Sequence, residues 1–169
     1  MTHTRKEIAS WLDTYFEAVN SHQGAIESVA ELRKYFSDDF EFRMYTSRKR
    51  LSEPPLTRDQ LLMLFIHPGL LEKLIPKYYV IDVDSLVAVV QFEICFRDEN
   101  SGKEWPPRQA SAHYHFKPDG TGGIQIGKIQ YWTETFTEDF DSMYEQWWRA
   151  KDEALAEFGI KYLKTGSVG

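Results

Sequence analysis

Between residues 86 and 97 every second side chain is apolar: Leu86, Ala88, Val90, Phe92, Ile94 and Phe96 alternate with Gln91, Glu93, Cys95 and Arg97. A period of two is the signature of a strand, because successive side chains point to opposite faces. Residues 109–116 follow the same rule, with Ala110, Ala112, Tyr114 and Phe116 set against Gln109, Ser111, His113 and His115. If the two strands pair as a hairpin across 98–108 with apolar opposite apolar, Glu93, His113 and His115 share one face in any register.

Helical spacing dominates the first third of the chain. Ile8, Trp11, Leu12, Tyr15, Phe16 and Val19 form one stripe, and Thr4 with Glu7 makes a capping box, so a helix is predicted over about 5–20. A second helix is predicted over 25–36, on Ile26, Val29, Leu32 and Phe36. Phe40, Phe42 and Met44 then alternate with Glu41 and Arg43, as in a strand. After a basic loop at 46–56, Thr57 and Gln60 cap a third helix reaching Ile66, and Leu70 to Ile75 reads as a further helical turn or two before Pro76. A strand is predicted over 78–83, and another over 124–136 with a bulge at Gly127-Lys128. From Thr137 to Gly159 the apolar stripe of Phe140, Met143, Tyr144, Trp147, Trp148, Leu155 and Phe158 predicts a last, amphipathic helix.

Helices first, then an antiparallel meander with one helix inserted and one appended, define an α+β fold with helices packed on one face of a curved sheet. The 169 residues, 42% of them hydrophobic, fill one core, so a single domain spans 1–169, with its core at about 5–158 and a ragged tail at 164–169. The 15% of aromatic residues suits the walls of a pocket as well as solid packing. A formal net charge of −6 opposes nucleic acid as a partner, and Arg48-Lys49-Arg50 is too short for a phosphate-binding stripe. Lone Cys95 excludes an internal disulfide. No signal-like start and no bilayer-long apolar run are present, so a cytoplasmic location without membrane contact is expected.

The shared face of Glu93, His113 and His115 is the first candidate for chemistry. A carboxylate-tuned imidazole can take a proton alpha to a carbonyl or assist loss of water from a β-hydroxy ketone. A buried hydroxyl, from Tyr15 or Tyr45, could hydrogen-bond the resulting enolate oxygen. The alternation does not say which face meets the helices, so these polar residues equally suit a solvated outer face. Two histidines and a glutamate are a weak metal signature without a further ligand, and neither metal nor cofactor is expected. Trp132 and Glu134 on the last strand, or Tyr131 and Thr133 depending on the bulge, are candidate substrate contacts.

Three segments carry a family resemblance: Tyr15-Phe16-Glu17-Ala18-Val19-Asn20-Ser21, Tyr35-Phe36-Ser37-Asp38-Asp39-Phe40 and Gly127-Lys128-Ile129-Gln130-Tyr131-Trp132. In this order the chain resembles the SnoaL-like branch of the nuclear transport factor 2-like, cystatin-like cone superfamily. The resemblance implies a sheet wrapped around the N-terminal helices, leaving a conical cavity in which dehydratases, isomerases and cyclases work on apolar rings, usually without metal. It places Tyr15 where ketosteroid isomerases carry an oxyanion-binding tyrosine, and Asn20 where scytalone dehydratase has an active aspartate. The isomerases' general-base aspartate would fall near Met44, where no carboxylate stands. The expected function is a cofactor-independent, dehydratase-like lyase or isomerase acting on a small hydrophobic carbonyl compound. The alternative is a non-catalytic ligand-binding or subunit-interaction module of the same fold. A homodimer is expected under both.

Overall fold

The computed structural model describes residues 3–46 and 54–134. The helix predicted beyond Thr137 lies outside the described residues. Helix α1 spans Arg5–His22 and opens on the expected box: the Thr4 hydroxyl accepts from the Glu7 amide, and the Glu7 carboxylate accepts from the Thr4 amide. Its stripe of Ile8, Leu12, Tyr15, Phe16 and Val19 is buried. The second predicted helix is split into a short α2, Ile26–Val29, and a 3-10 helix, Ala30–Tyr35. Neither piece has a side-chain cap, and Phe36 already has extended backbone.

Strand β1 therefore starts earlier than its alternation suggested, at Phe36–Thr46. Helix α3, Arg58–Leu64, is fixed by a second capping box between Thr57 and Gln60. The stretch from Leu70 is strand rather than helical turn: β2 runs Leu70–Asp82 and pairs antiparallel with β3, Val87–Asp98, from Leu70 opposite Asp98 to Asp82 opposite Val87. Pro76 is tolerated because β2 is an edge strand and its register shifts between Pro76 and Tyr78. Strand β4, Arg108–Pro118, and strand β5, Ile124–Thr133, complete a sheet ordered β1-β5-β4-β3-β2.

The sheet is mixed, not a pure antiparallel meander, since β1 lies parallel to β5. Chain order explains the correction. The link through α3 carries the chain from one edge of the sheet to the other, and the last strand then closes beside the first. The predicted bulge is at Gly127, which is skipped where His115 pairs with Lys128 and Phe116 with Ile126. It resets the alternation so that Ile124 and Ile126 before it, and Ile129 after it, all reach the core.

One face of the sheet packs on the helices. Ala88, Val90, Phe92, Ile94 and Phe96 of β3 and Ala110, Ala112, Tyr114 and Phe116 of β4 are buried against the stripe of α1. Tyr15 sits at the centre of this core, within 6 Å of the rings of Trp11, Phe16, Tyr35, Phe36 and Tyr114.

Candidate functional site

The apolar row faces α1, so its alternating partners face away: of the two placements that the alternation left open, the structure has the outer one, and the catalytic use of an inward histidine pair falls with it. His113, His115 and Glu93 share a face as the alternation required, but it is the outer one. Register also separates them. Glu93 pairs with Gln109, His113 with Val89 and His115 with Val87, which leaves the rung of Gln91 and Ser111 between Glu93 and the histidines. Glu93 is instead 2.7 Å from Lys77 and accepts from the Gln109 amide at 3.1 Å. These two partners hold its carboxyl below the ordinary range. His113 packs on Trp132, with ring centres 4.7 Å apart, and its pKa is lowered by partial burial and by neighbouring His115. His115 meets the Gln130 side chain at 3.1 Å.

Trp132 and Tyr45, paired across β5 and β1, stack at 5.1 Å on the same outer face. Glu134 accepts the Gln109 backbone N–H. Asn20 is also engaged in structure: its carbonyl accepts the Leu74 N–H and its amide donates to the Leu74 carbonyl, both at 2.8 Å. Both polar groups are thus used in covering the free edge of β2, one helical turn from Gln23, which donates to the Glu72 carbonyl.

Of the expected site residues, Tyr15 lines the interior cavity, as does Tyr131, the alternative to Trp132 on the last strand. This cavity, about 120 Å³, lies between α1, α3, the 65–70 segment and the packed face of the sheet. Its walls are largely apolar, with Phe42, Met44, Leu61, Leu74, Phe92 and Phe96 among them. Two polar groupings interrupt them. The first is Tyr15 with Tyr114, both fully buried with ring centres 5.9 Å apart, and both phenols are pushed up by burial. The second is Glu72 with His67.

The imidazole of His67 is 7% exposed. Its Nδ1 lies 2.8 Å from the Leu70 carbonyl, which can only accept, so Nδ1 carries a proton. Its Nε2 lies 3.4 Å from the Glu72 carboxylate, without the alignment of a hydrogen bond. A lone pair facing a carboxylate would be repulsive, so the contact favours an imidazole protonated on both nitrogens. Burial pushes the imidazole down, but Glu72 and the Leu70 carbonyl outweigh it, and the net direction is up. Inward-facing Glu72, in step with Leu70 and Leu74 along β2, is the partly exposed member of the pair. On the far side of His67 a wider groove of about 540 Å³ runs past Gly24, Pro68 and Glu99.

Sequence reasoning missed this pair because Leu70, Leu71, Leu74 and Ile75 have helical spacing, which hid the inward parity of Glu72. The available signal was His67-Pro68-Gly69, a histidine set at the break between an apolar helix and the next element. Among the described residues no three His, Cys, Asp or Glu side chains come together as metal ligands, and no helix is long and apolar enough to cross a membrane.

No protein-family model and no curated protein matches the chain. Solved structures do match. An NTF2-like protein with a cystatin-like fold from Novosphingobium aromaticivorans superposes with a TM-score of 0.53 at 12% identity, covering 80% of this chain and 84% of its own. Nuclear transport factor 2 from Cryptosporidium parvum gives 0.52 at 9% identity over 74% and 90%. A protein assigned as a polyketide cyclase from Xanthomonas campestris gives 0.54 at 12% identity over 76% and 90%. The chain has the NTF2-like, cystatin-like α+β fold. Its neighbours in that fold differ in what they are named for, so function has to be argued from the site.

Proposed function

We propose that the interior cavity binds a small hydrophobic carbonyl compound and that Glu72, backed by His67, performs cofactor-independent acid/base chemistry on it, as a lyase or isomerase of the dehydratase type. One observation carries the reading: a carboxylate–imidazole pair, with its imidazole buried, and a buried pair of phenol hydroxyls line the same apolar cavity. The polyketide cyclase assignment of one structural neighbour supports it.

In the proposed reaction the Glu72 carboxylate takes the proton alpha to the carbonyl, and the C–H electron pair moves onto the carbonyl oxygen. A phenol O–H of the Tyr15–Tyr114 pair donates to that oxygen as it becomes an enolate. When the enolate collapses, a β-hydroxyl leaves and takes the proton from Glu72, departing as water. Returning the proton to carbon instead gives an isomer. His67, which also lines the cavity, acts through Glu72. It is a positioning residue, anchored by Leu70, that keeps Glu72 aligned.

The test is deuterium uptake from D₂O at the alpha carbon of phenylacetone, followed by NMR. Glu72→Gln is expected to lower the rate by about 10²–10⁴-fold. Tyr15→Phe is expected to lower it by roughly 10²-fold. His67→Gln is expected to lower it and to flatten its pH profile, while His113→Ala leaves it unchanged. Equal rates in wild type and Glu72→Gln would end the proposal.

The outer face favours an additional, non-catalytic role. Tyr78, Val80 and Trp132 are 58%, 59% and 36% exposed on it, next to half-buried Val87 and Val89. We infer that a second copy of the chain covers this face as a homodimer. Light scattering is expected to give twice the chain mass for wild type and the chain mass for Val80→Glu, and a monomeric wild type at micromolar concentration would refute it.

A further inference from the structure

We propose that the substrate of the interior site is an uncharged carbonyl compound no larger than a single six-membered ring with a short side chain, and that Leu74 and Met44 set this limit. The inference rests on reading the cavity as the ligand site, and it adds size and charge to that reading. Two observations carry it.

The first is volume. The cavity holds about 120 Å³. An engineered apolar cavity of roughly 150 Å³ in another protein accommodates benzene, so one ring is close to the limit here. Expansion is resisted on most sides. Phe92 is 1% exposed and packs on Phe16 and Tyr131, Leu61 is 3% exposed in capped α3, and the rings of Tyr15 and Tyr114 pack on each other. The softer walls are Leu74, on the edge strand, and Met44, partly buried near the end of β1.

The second observation is charge. The described lining contains no lysine or arginine, and its one carboxylate, Glu72, is already matched by its one imidazole, His67. An anionic ligand would place a second negative charge beside Glu72 in an apolar enclosure without a cation to meet it, and such burial is strongly disfavoured. A neutral ketone meets an O–H from the tyrosine pair and leaves the His67–Glu72 balance undisturbed.

Binding is measured by calorimetry on the full chain with three probes that share one head: phenylacetone, 1-(2-naphthyl)propan-2-one and phenylpyruvate. Wild type is expected to bind phenylacetone at least tenfold more tightly than either of the others. Leu74→Ala, which keeps the backbone groups that Asn20 holds, is expected to bring the naphthyl ketone within threefold of phenylacetone and to leave phenylpyruvate excluded. Met44→Ala, at a less buried position, is expected to act in the same direction and serves if Leu74→Ala does not fold. Naphthyl binding equal to phenyl binding in wild type, or tight phenylpyruvate binding, would overturn the inference even if deuterium exchange proceeds. Selective phenylacetone binding without exchange would uphold the size and charge limits and defeat the catalytic reading alone.

Discussion

His67 is the residue at which burial and charge oppose each other most directly. Its folded pKa lies above its ordinary value because Glu72 and the Leu70 carbonyl outweigh desolvation. A histidine in an unfolded chain titrates near about 6.5. A raised folded value means that the native state binds the proton more tightly, so the stabilisation is complete below that pH and fades as pH rises through the folded value. The difference in melting temperature between wild type and Glu72→Gln is therefore expected to be largest near pH ~5.5 and to shrink as the solution becomes alkaline. A gap that widens with pH would contradict the stabilised, protonated imidazole. His113 titrates with the opposite sign, since partial burial and His115 lower its value, but it is common to both proteins and cancels in the difference. Neither direction could be read from the chain alone: a histidine's titration is decided by what folding places around it, and Glu72 comes within 3.4 Å of His67 only because the chain turns at Pro68-Gly69 into an inward-facing strand.

At the scale of elements, what repeats locally was legible and what pairs at a distance was not. Both capping boxes, the alternation of β3 and β4 and the bulge at Gly127 depend on a few neighbouring residues, and each is present. The parallel pairing of β1 with β5 and the strand character of Leu70 to Ile75 depend on partners many residues away, which local spacing does not encode. β2 shows the physical cost of its position. As an edge strand it leaves backbone groups unpaired, and α1 covers them with Asn20 on Leu74 and Gln23 on Glu72. The resemblance drew attention to Asn20 as a candidate contact for substrate, whereas the structure has it completing an edge. Replacing it with alanine uncovers the Leu74 N–H and carbonyl together, at an expected cost of about 1–3 kcal/mol. Hydrogen exchange at the Leu74 amide should accelerate in Asn20→Ala well beyond that of amides in β4, which strands protect on both sides. Unchanged exchange at Leu74 would show that the edge needs no such cover.

For the molecule as a whole, the cavity is a concession in an otherwise filled core. Its walls carry Tyr15, Tyr114, His67 and Glu72 among the apolar side chains, so it is not a sealed apolar void. A chain with this many buried aromatic residues could fill that space with one larger side chain. Which face of the hairpin enclosed it was not legible, because alternation sorts residues into two rows without saying where the helices lie. Packing decides it: the row of Ala88, Val90, Phe92, Ile94 and Phe96 meets α1, and the polar row is excluded with it. Leu74→Phe, which adds a ring at the softer wall, is expected to raise the unfolding free energy by about 0.5–2 kcal/mol in urea titration. The same change is expected to abolish phenylacetone binding while leaving Glu72 and His67 in place. A stabilised Leu74→Phe protein that binds phenylacetone as wild type does would mean that the cavity is not where the ligand goes.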